Sequence, residues 1–288
     1  MVKISIITPV LNGGSLIENC LCSVIQQNCL DIEHLIVDGG STDDTIEVVQ
    51  RYAHEYAHIR WISEKDRGQS DAMNKGIAGA RGECVGFLNV DDSYEPGVLN
   101  TVKEIFDKVP EPSLLVGNCK VWNEKGTLVE INRPCRLKYR DLLLGYAINP
   151  IPINSSAYFY HKTIHQIIGG YDVAEDYVLD WDFLLRAVRV AHVMYFNQTW
   201  GNYYLLPGTK TYTDIMNGRN RWRVGQLIMS HRRQLPWIQR VWIELQSALL
   251  NNPVGASMHY FYVYPHELPV RLIARISKTQ RQRAWMRL

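Results

Sequence analysis

A short β-branched run, Ile4–Thr8, is followed by Ser15–Gln27, where Leu16, Cys20, Leu21, Val24 and Ile25 recur at helical spacing. Ile32–Val37 is again apolar and strand-like, completing a strand, helix, strand unit. The alternation continues. Thr42–Tyr56 reads as a helix capped by Thr42 or Ser41, with Ile46, Val49 and Ala53 inward, and Ile59–Ser63 as a strand. Gln69–Ala80 and Pro96–Lys108 read as helices, and Glu83–Leu88 and Ser113–Val121 as strands. Short connections between alternating elements predict βαβ crossovers, hence an α/β fold with a doubly wound, mainly parallel sheet and helices on both faces. Ligands of such sheets bind outside the carboxyl ends of the strands.

Beyond residue 120 the pattern loosens toward a mixed sheet. Val121–Glu130, with Asn123-Glu124-Lys125-Gly126 at its centre, predicts a hairpin, and Ser155–Tyr160 a further strand. Val178–Ala191 has helical spacing with Trp181, Leu184, Leu185 and Val188 inward, and Val193–Phe196 and Asn202–Leu206 read as two short strands. Pro207-Gly208 punctuates the chain. Two helices, Asp214–His231 and Trp237–Leu250, follow, then a tail in which basic and apolar residues alternate. The expected division is a catalytic unit over 1–206 and a helical, basic C-terminal extension over 207–288.

With 288 residues, 46% hydrophobic and 21% charged, the chain holds a sizeable core, which excludes disorder and fibrous repeats. A net charge of +2 is too small for a dedicated nucleic-acid binder, so no nucleic-acid partner is expected. The start, MVKISIITPVLNGG, lacks a secretory cleavage site and reads as the first strand. No apolar run reaches membrane-spanning length, and the stretch Ala147–Tyr160 is broken by Asn149, Pro150, Pro152 and Asn154. A cytoplasmic location follows. The six cysteines include no CxxC pair to begin a zinc site and are expected reduced and mostly buried. Without a secretory signal, the glycosylation sequons at Asn154 and Asn197 carry no meaning.

Carboxylates recur where the strands end: Asp38 after the second, Asp66 after the third, Asp91-Asp92 after the fourth. Any one of them has a bland explanation, since Asp-Gly and Asp-Asp-Ser favour turns and helix caps. Together, on the edge where ligands bind, they gather negative charge suited to a metal or to accepting hydrogen bonds from a ligand.

Four motifs resemble the family 2 glycosyltransferases, whose fold is the nucleotide-sugar-binding GT-A fold. They are Ile6-Ile7-Thr8-Pro9-Val10-Leu11-Asn12; Val37-Asp38-Gly39-Gly40-Ser41-Thr42-Asp43; Ser63-Glu64-Lys65-Asp66-Arg67-Gly68 with Asp71-Ala72-Met73-Asn74-Lys75-Gly76; and Gly86-Phe87-Leu88-Asn89-Val90-Asp91-Asp92. The resemblance weakens after about residue 125. Gly169-Gly170-Tyr171-Asp172 and Asp180-Trp181-Asp182-Phe183-Leu184-Leu185-Arg186 look like the family's second-half signatures.

The resemblance implies that Asp38 accepts a hydrogen bond from the nucleobase, that Thr8, Pro9 and Leu11 line the base pocket, and that Asp66 helps hold the nucleoside. Leu11 departs from the stacking tyrosine of many relatives and offers only apolar contact. Asn89-Val90-Asp91 occupies the family's DxD position, which leaves Asp91 as the direct metal ligand, Asn89 as a neutral partner for ribose or metal-bound water, and Asp92 as an auxiliary ligand. A divalent cation bridging the donor's two phosphates stabilises their charge as the sugar leaves, and oxygen ligands suit Mn²⁺ or Mg²⁺.

Asp180 and Asp182 are the candidates for the general base. Two residues apart on a helix, they face nearly opposite sides, so only one can face the site. Alignment on Arg186 favours Asp180 and leaves Asp182 as a cap or an Arg186 partner, although acids at a helix start also simply complement the macrodipole. Arg219, Arg221-Trp222 and Arg223 lie where processive synthases of similar type carry Gln-x-x-Arg-Trp, but Gly218 stands in the glutamine's place, which favours single-sugar addition. These arginines are candidates for a diphosphate or lipid-phosphate contact; a solvated basic helix face is the alternative.

Arg271, Arg275, Lys278, Arg281, Arg283 and Arg287 among Leu272, Ile273, Ile276 and Met286, together with Trp237, Trp242 and Trp285, fit either an amphipathic helix docking on anionic lipid or a basic helix packed on its own domain. The expected activity is an inverting, metal-dependent transfer of one sugar from a UDP, GDP or dTDP sugar to a saccharide or lipid-linked acceptor. Surface polysaccharide or lipopolysaccharide synthesis at the inner membrane face is the setting this suggests. A nucleotidyltransferase is disfavoured because Asn12-Gly13-Gly14-Ser15 has no adjacent Lys or Arg. A non-catalytic nucleotide-sugar-binding or scaffold protein would not need both Asp91 and a base.

Overall fold

The computed structural model describes residues 2–145, 149–175 and 177–250. Three parallel units open the chain: β1 (Ile4–Val10), α1 (Gly14–Ile25), β2 (Ile32–Asp38), α2 (Thr45–Glu55), β3 (Ile59–Ser63), α3 (Gln69–Gly79) and β4 (Cys84–Phe87). Every residue of β1 and β2 is buried, as expected of central parallel strands covered on both faces. Next come β5 (Ser93–Tyr94), α4 (Val98–Phe106), β6 (Ser113–Asn123), β7 (Leu128–Asn132), α5 (Tyr139–Leu142), β8 (Tyr158–His161), α6 (Thr163–Ile168), α7 (Leu179–Ala187) and β9 (His192–Leu205). Helices α8 (Lys210–Met216), α9 (Arg219–Arg233) and α10 (Trp237–Leu250) end the described chain.

Among the described residues the nine strands form one sheet in the order β3-β2-β1-β4-β8-β6-β9-β5, with β7 paired to β6. Pairs β1–β2, β1–β4, β2–β3 and β6–β9 are parallel, while β8 runs antiparallel to both β4 and β6. The strand order reverses between β1 and β4, which opens a crevice at their carboxyl ends. Because β8 is antiparallel to β4, its start lies on that same edge.

Several boundaries differ from the periodicity for local reasons. Helix α2 begins at Thr45 rather than at Thr42, because the cap candidates are consumed elsewhere. The Asn12 amide donates to Ser41 Oγ (2.7 Å), and the Thr42 amide donates to Asn12 Oδ1 (2.9 Å). The two short strands near residues 193 and 202 are one strand, β9, whose register with β6 shifts around Asn118. The expected helix Asp214–His231 breaks at Gly218, which has φ of +67°. Helix α6 follows β8 with no counterpart in the periodicity reading.

Val224, Ile228 and Ile243 of α9 and α10 join the same buried cluster as Leu35, Phe87 and Phe183. Arg232 donates two hydrogen bonds to the Leu143 carbonyl (2.6 and 2.9 Å), so these helices are fastened to the catalytic unit. The basic tail of residues 271–287 lies outside the described residues. Among those described, no helix is long and apolar enough to cross a membrane. All six cysteines are free, with Cys20, Cys84 and Cys119 buried.

Candidate active site

The loops after β1 and β2 are stitched together. The Gly13 amide donates to Thr45 Oγ1 (2.9 Å) and the Gly14 amide to Asp43 Oδ2 (3.0 Å). Asp38, at the end of β2, has no exposed surface. Its carboxylate accepts from the Gly40 amide (3.0 Å), the Ser41 amide (3.1 Å), the Ser41 hydroxyl and Ser63 Oγ (2.7 Å). These four donors shape the Gly39–Ser41 loop around the acid. Thr8 is likewise fully buried, with its hydroxyl 2.9 Å from His34 Nε2. Burial holds that imidazole neutral, its pKa pushed down to about 3, with His58 adding to the effect. Pro9 is buried within β1, whereas Leu11 stands 59% exposed at the rim.

Asp66, after β3, is half-buried where Asp38 is fully enclosed. One carboxylate oxygen accepts from the Gly68 amide (2.9 Å), and the other lies over Gly39 without a hydrogen bond from another described residue. A Cβ on Gly39 would come within 2.4 Å of that oxygen, so the glycine is what lets the acid approach the loop.

After β4 the four residues Asn89–Asp92 split into two roles. Asp92 is buried and accepts from Asn89 Nδ2 (3.0 Å), Asn154 Nδ2 (2.8 Å) and the Tyr204 amide (3.3 Å). Burial and the neighbouring Asp91 push its pKa up, opposed by the two amide donors. Its oxygens hold the loop in place. Asn89 gives its amide nitrogen to Asp92, and its carbonyl oxygen receives a long bond from Gln69 Nε2 (3.4 Å). Asp91 has no hydrogen bond or ion pair with another described residue, and burial raises its pKa. An acid penalised by burial and opposed only by its own backbone amide is a place where a cation would lower the energy. Among the described residues no three His, Cys, Asp or Glu side chains gather into a metal cage. A single carboxylate still fits Mg²⁺ or Mn²⁺, which are commonly held by one or two carboxylates together with substrate phosphates.

Asn154 links this loop to β8, and Tyr158, the first residue of β8, donates to Asp180 Oδ1 (2.8 Å). Asp180, at the start of α7, has its pKa raised to about 6 by burial, with the Tyr158 bond pulling the other way. Asp182 points elsewhere, accepting from Arg186 Nε (2.7 Å) with His231 Nε2 3.5 Å away. Burial alone would raise its pKa, but His231 and Arg186 together hold it below the usual carboxylate range. The helix geometry thus leaves Asp180 able to take a proton at neutral pH and Asp182 locked in an i, i+4 pair.

Other contacts were not legible as site features in the sequence. Asn74 clasps the Tyr171 backbone with two 2.8 Å bonds, and Ser70 Oγ donates to the Glu175 carbonyl (2.6 Å). Helix α3 thereby fixes the segment that leads into α7. Tyr177 receives two cations on its ring, Arg223 at 3.9 Å and Lys210 at 4.6 Å from the centroid. Arg223 also lies 3.4 Å from the buried Asp214, while Arg219, Arg221 and Trp222 are exposed. Only an aromatic three residues before Asp180 hinted at the first of these contacts.

The loops after β1, β3 and β4 place Leu11, Asp66 and Asp91 at the carboxyl edge of the sheet, the edge at which Tyr158 starts β8 and bonds Asp180, which is the layout of a GT-A fold. The family model for glycosyl transferase family 2 matches residues 5–160, and the chain belongs to that family and is a glycosyltransferase. A PGL/p-HBAD biosynthesis glycosyltransferase of Mycobacterium bovis is 31% identical over 187 residues, which is 63% of this chain and 68% of the relative. The fold is shared with Staphylococcus aureus TarS 1–349 in complex with UDP-GlcNAc, at a TM-score of 0.64 and 16% identity, covering 94% of this chain and 77% of that one. Full-length TarS is covered over 46% of its chain. A mannosyltransferase of Pyrobaculum calidifontis, in complex with GDP-Man and Mn²⁺, matches with a TM-score of 0.62 and 17% identity over 97% of this chain and 80% of that one.

Proposed function

We propose that the protein is an inverting, divalent-cation-dependent glycosyltransferase that moves one sugar from a nucleoside-diphosphate donor to an acceptor hydroxyl. The observation that carries this reading is the pairing, on one rim, of an unpartnered acid, Asp91, with an acid whose pKa is raised to about 6, Asp180. Asp66 and the Gly39–Ser41 loop receive the nucleoside, with Leu11 against the base. Asp91 is the protein ligand for Mn²⁺ or Mg²⁺, which when bound neutralises charge building on the departing diphosphate. Lys210 and Arg223, held on Tyr177, add positive charge on the same side of α7.

Asp180 accepts the proton of the acceptor hydroxyl as its oxygen bonds to the anomeric carbon. The bond from that carbon to the phosphate oxygen breaks with its electron pair leaving on the nucleoside diphosphate. Attack opposite the leaving group inverts the anomeric centre. A base pKa near 6 keeps most of Asp180 ionised at neutral pH without making it a feeble base. The acceptor in this reading is a saccharide or a lipid-linked one, met at the inner face of the membrane; a relative 31% identical is a PGL/p-HBAD biosynthesis glycosyltransferase.

Thermal unfolding with UDP-, GDP- and dTDP-sugars, with and without Mn²⁺, tests the donor and the cation together. One donor is expected to raise Tm, more so with Mn²⁺, and Asp91→Asn is expected to abolish the Mn²⁺ increment and the release of free nucleoside diphosphate. Equal Mn²⁺ increments in wild type and Asp91→Asn would remove Asp91 from the cation site.

A further inference from the structure

Helix α10 is amphipathic the wrong way round. Its inward face is anchored by the buried Ile243 and the half-buried Leu250 and otherwise carries half-buried Gln239, Gln246 and Ser247. The outward face carries Trp237 (74% exposed), Ile238 (63%), Trp242 (59%), Leu245 and Leu249 (65%). A solvent-facing helix normally shows the opposite distribution, and a contiguous apolar face of this kind marks a surface that is covered in use. Tryptophans at its leading end are the side chains best suited to a boundary between headgroups and hydrocarbon.

The surrounding charge identifies what covers it. From residue 207 onward the chain has 13 basic and 3 acidic residues, whereas the first 206 have 18 basic and 26 acidic. Arg233 is exposed at the end of α9, and Arg240 lies on α10 with Glu244 3.1 Å away. Exposed Arg140 closes a groove of about 240 Å³ against Ile238, Trp242 and Ile243. On α9, Trp222, Met229 and Arg233 are exposed at helical spacing. An apolar face with arginines beside it, in the part of the chain where basic residues outnumber acidic ones, complements a negative lipid surface.

We infer that the outward face of α10, with Trp237 and Trp242 as its anchors and Arg140, Arg233 and Arg240 around it, seats the enzyme on an anionic bilayer. The sequence grouped Trp237 and Trp242 with the basic tail; the structure puts both on the outward face of α10, and the tail lies outside the described residues. It does not depend on the catalytic reading, since the test reads lipid binding and not turnover.

The full chain is sedimented with vesicles of pure phosphatidylcholine and of phosphatidylcholine mixed with phosphatidylglycerol. Binding to the mixed vesicles only, released by high salt, is expected. Trp237→Ser/Trp242→Ser is expected to lower the partition coefficient about tenfold or more with Tm unchanged, and Arg233→Glu/Arg240→Glu to weaken it and flatten its salt dependence. As a check that needs no variant, bromine-labelled lipid in the mixed vesicles is expected to quench tryptophan fluorescence of the wild type. Equal binding to both vesicles, binding to neither, or an unchanged partition of the tryptophan variant would overturn the inference. So would a wild-type dimer in light scattering that the tryptophan variant dissociates, since a second copy of the chain would then be the occupant.

Discussion

The bond from Tyr158 opposes the burial that raises Asp180, the proposed base, and Tyr158→Phe isolates it. Tyr158 is fully buried, with Tyr160 and Phe183 stacked at ring-centroid distances of 6.4 and 6.2 Å, so phenylalanine fills the same space and the packing survives. What disappears is one donor to a carboxylate. A hydrogen bond to a charged group contributes about 1.5 to 3 kcal/mol, or roughly one to two pKa units. Burial already lifts Asp180 to about 6, and without its donor the carboxyl rises further. The base is active when ionised, so wild-type turnover falls as pH drops through about 6, and the variant's acid limb moves up by about one to two units. Near pH 7 this lowers kcat about two- to tenfold, and at about pH 9 the two enzymes converge within about twofold. Nucleoside diphosphate release at saturating donor and acceptor, followed across that range, checks it. An unshifted acid limb in the variant would refute the assignment of Tyr158 as the residue that tunes Asp180. A uniform loss at every pH would point instead to displaced geometry.

Two further substitutions probe the same rim. A carboxyl whose folded pKa lies above its free value is ionised at a cost present above about pH 6 and absent below about pH 4. Asp180→Asn, which keeps an acceptor for Tyr158, is therefore expected to stabilise the fold by about 1 to 3 kcal/mol at neutral pH and not at about pH 4, while abolishing transfer. Denaturant unfolding at the two pH values is the measurement, and an equal gain at both would contradict the burial argument. Gly39→Ala puts a methyl 2.4 Å from the Asp66 carboxylate and displaces that acid from the loop. Donor affinity measured by calorimetry is expected to fall about tenfold, with Tm nearly unchanged, because only one rim contact is lost.

The architecture up to β4 was legible because parallel strands buried on both faces are predominantly apolar, and the helices between them must show one apolar stripe. That is what Ile4–Val10, Ile32–Asp38 and α1 display. The gathering of acids at one edge was legible too, since strand ends in a doubly wound sheet share an edge whatever the side chains do. The motif order carried the family for the same reason: it lies in loops whose spacing the sheet fixes.

Which acid does what was not legible. Asp38 and Asp66, or Asp91 and Asp92, are equivalent as letters, and only the packing shows that Asp38 and Asp92 are enclosed by donors while Asp66 and Asp91 keep oxygens without them. The pKa of Asp180 rests on a tyrosine 22 positions earlier, and the grip of α3 on the approach to α7 rests on an asparagine 97 positions before its partner. The outward apolar face of α10 likewise emerges only once Ile243 is seen to be the side that packs. Periodicity and motif spacing are local properties of a chain, so the sequence by itself determined the fold class, the family and the edge that bears the chemistry. Burial and hydrogen-bond saturation are set by residues far apart in the chain, so the division of labour among the acids was decided only by the tertiary structure.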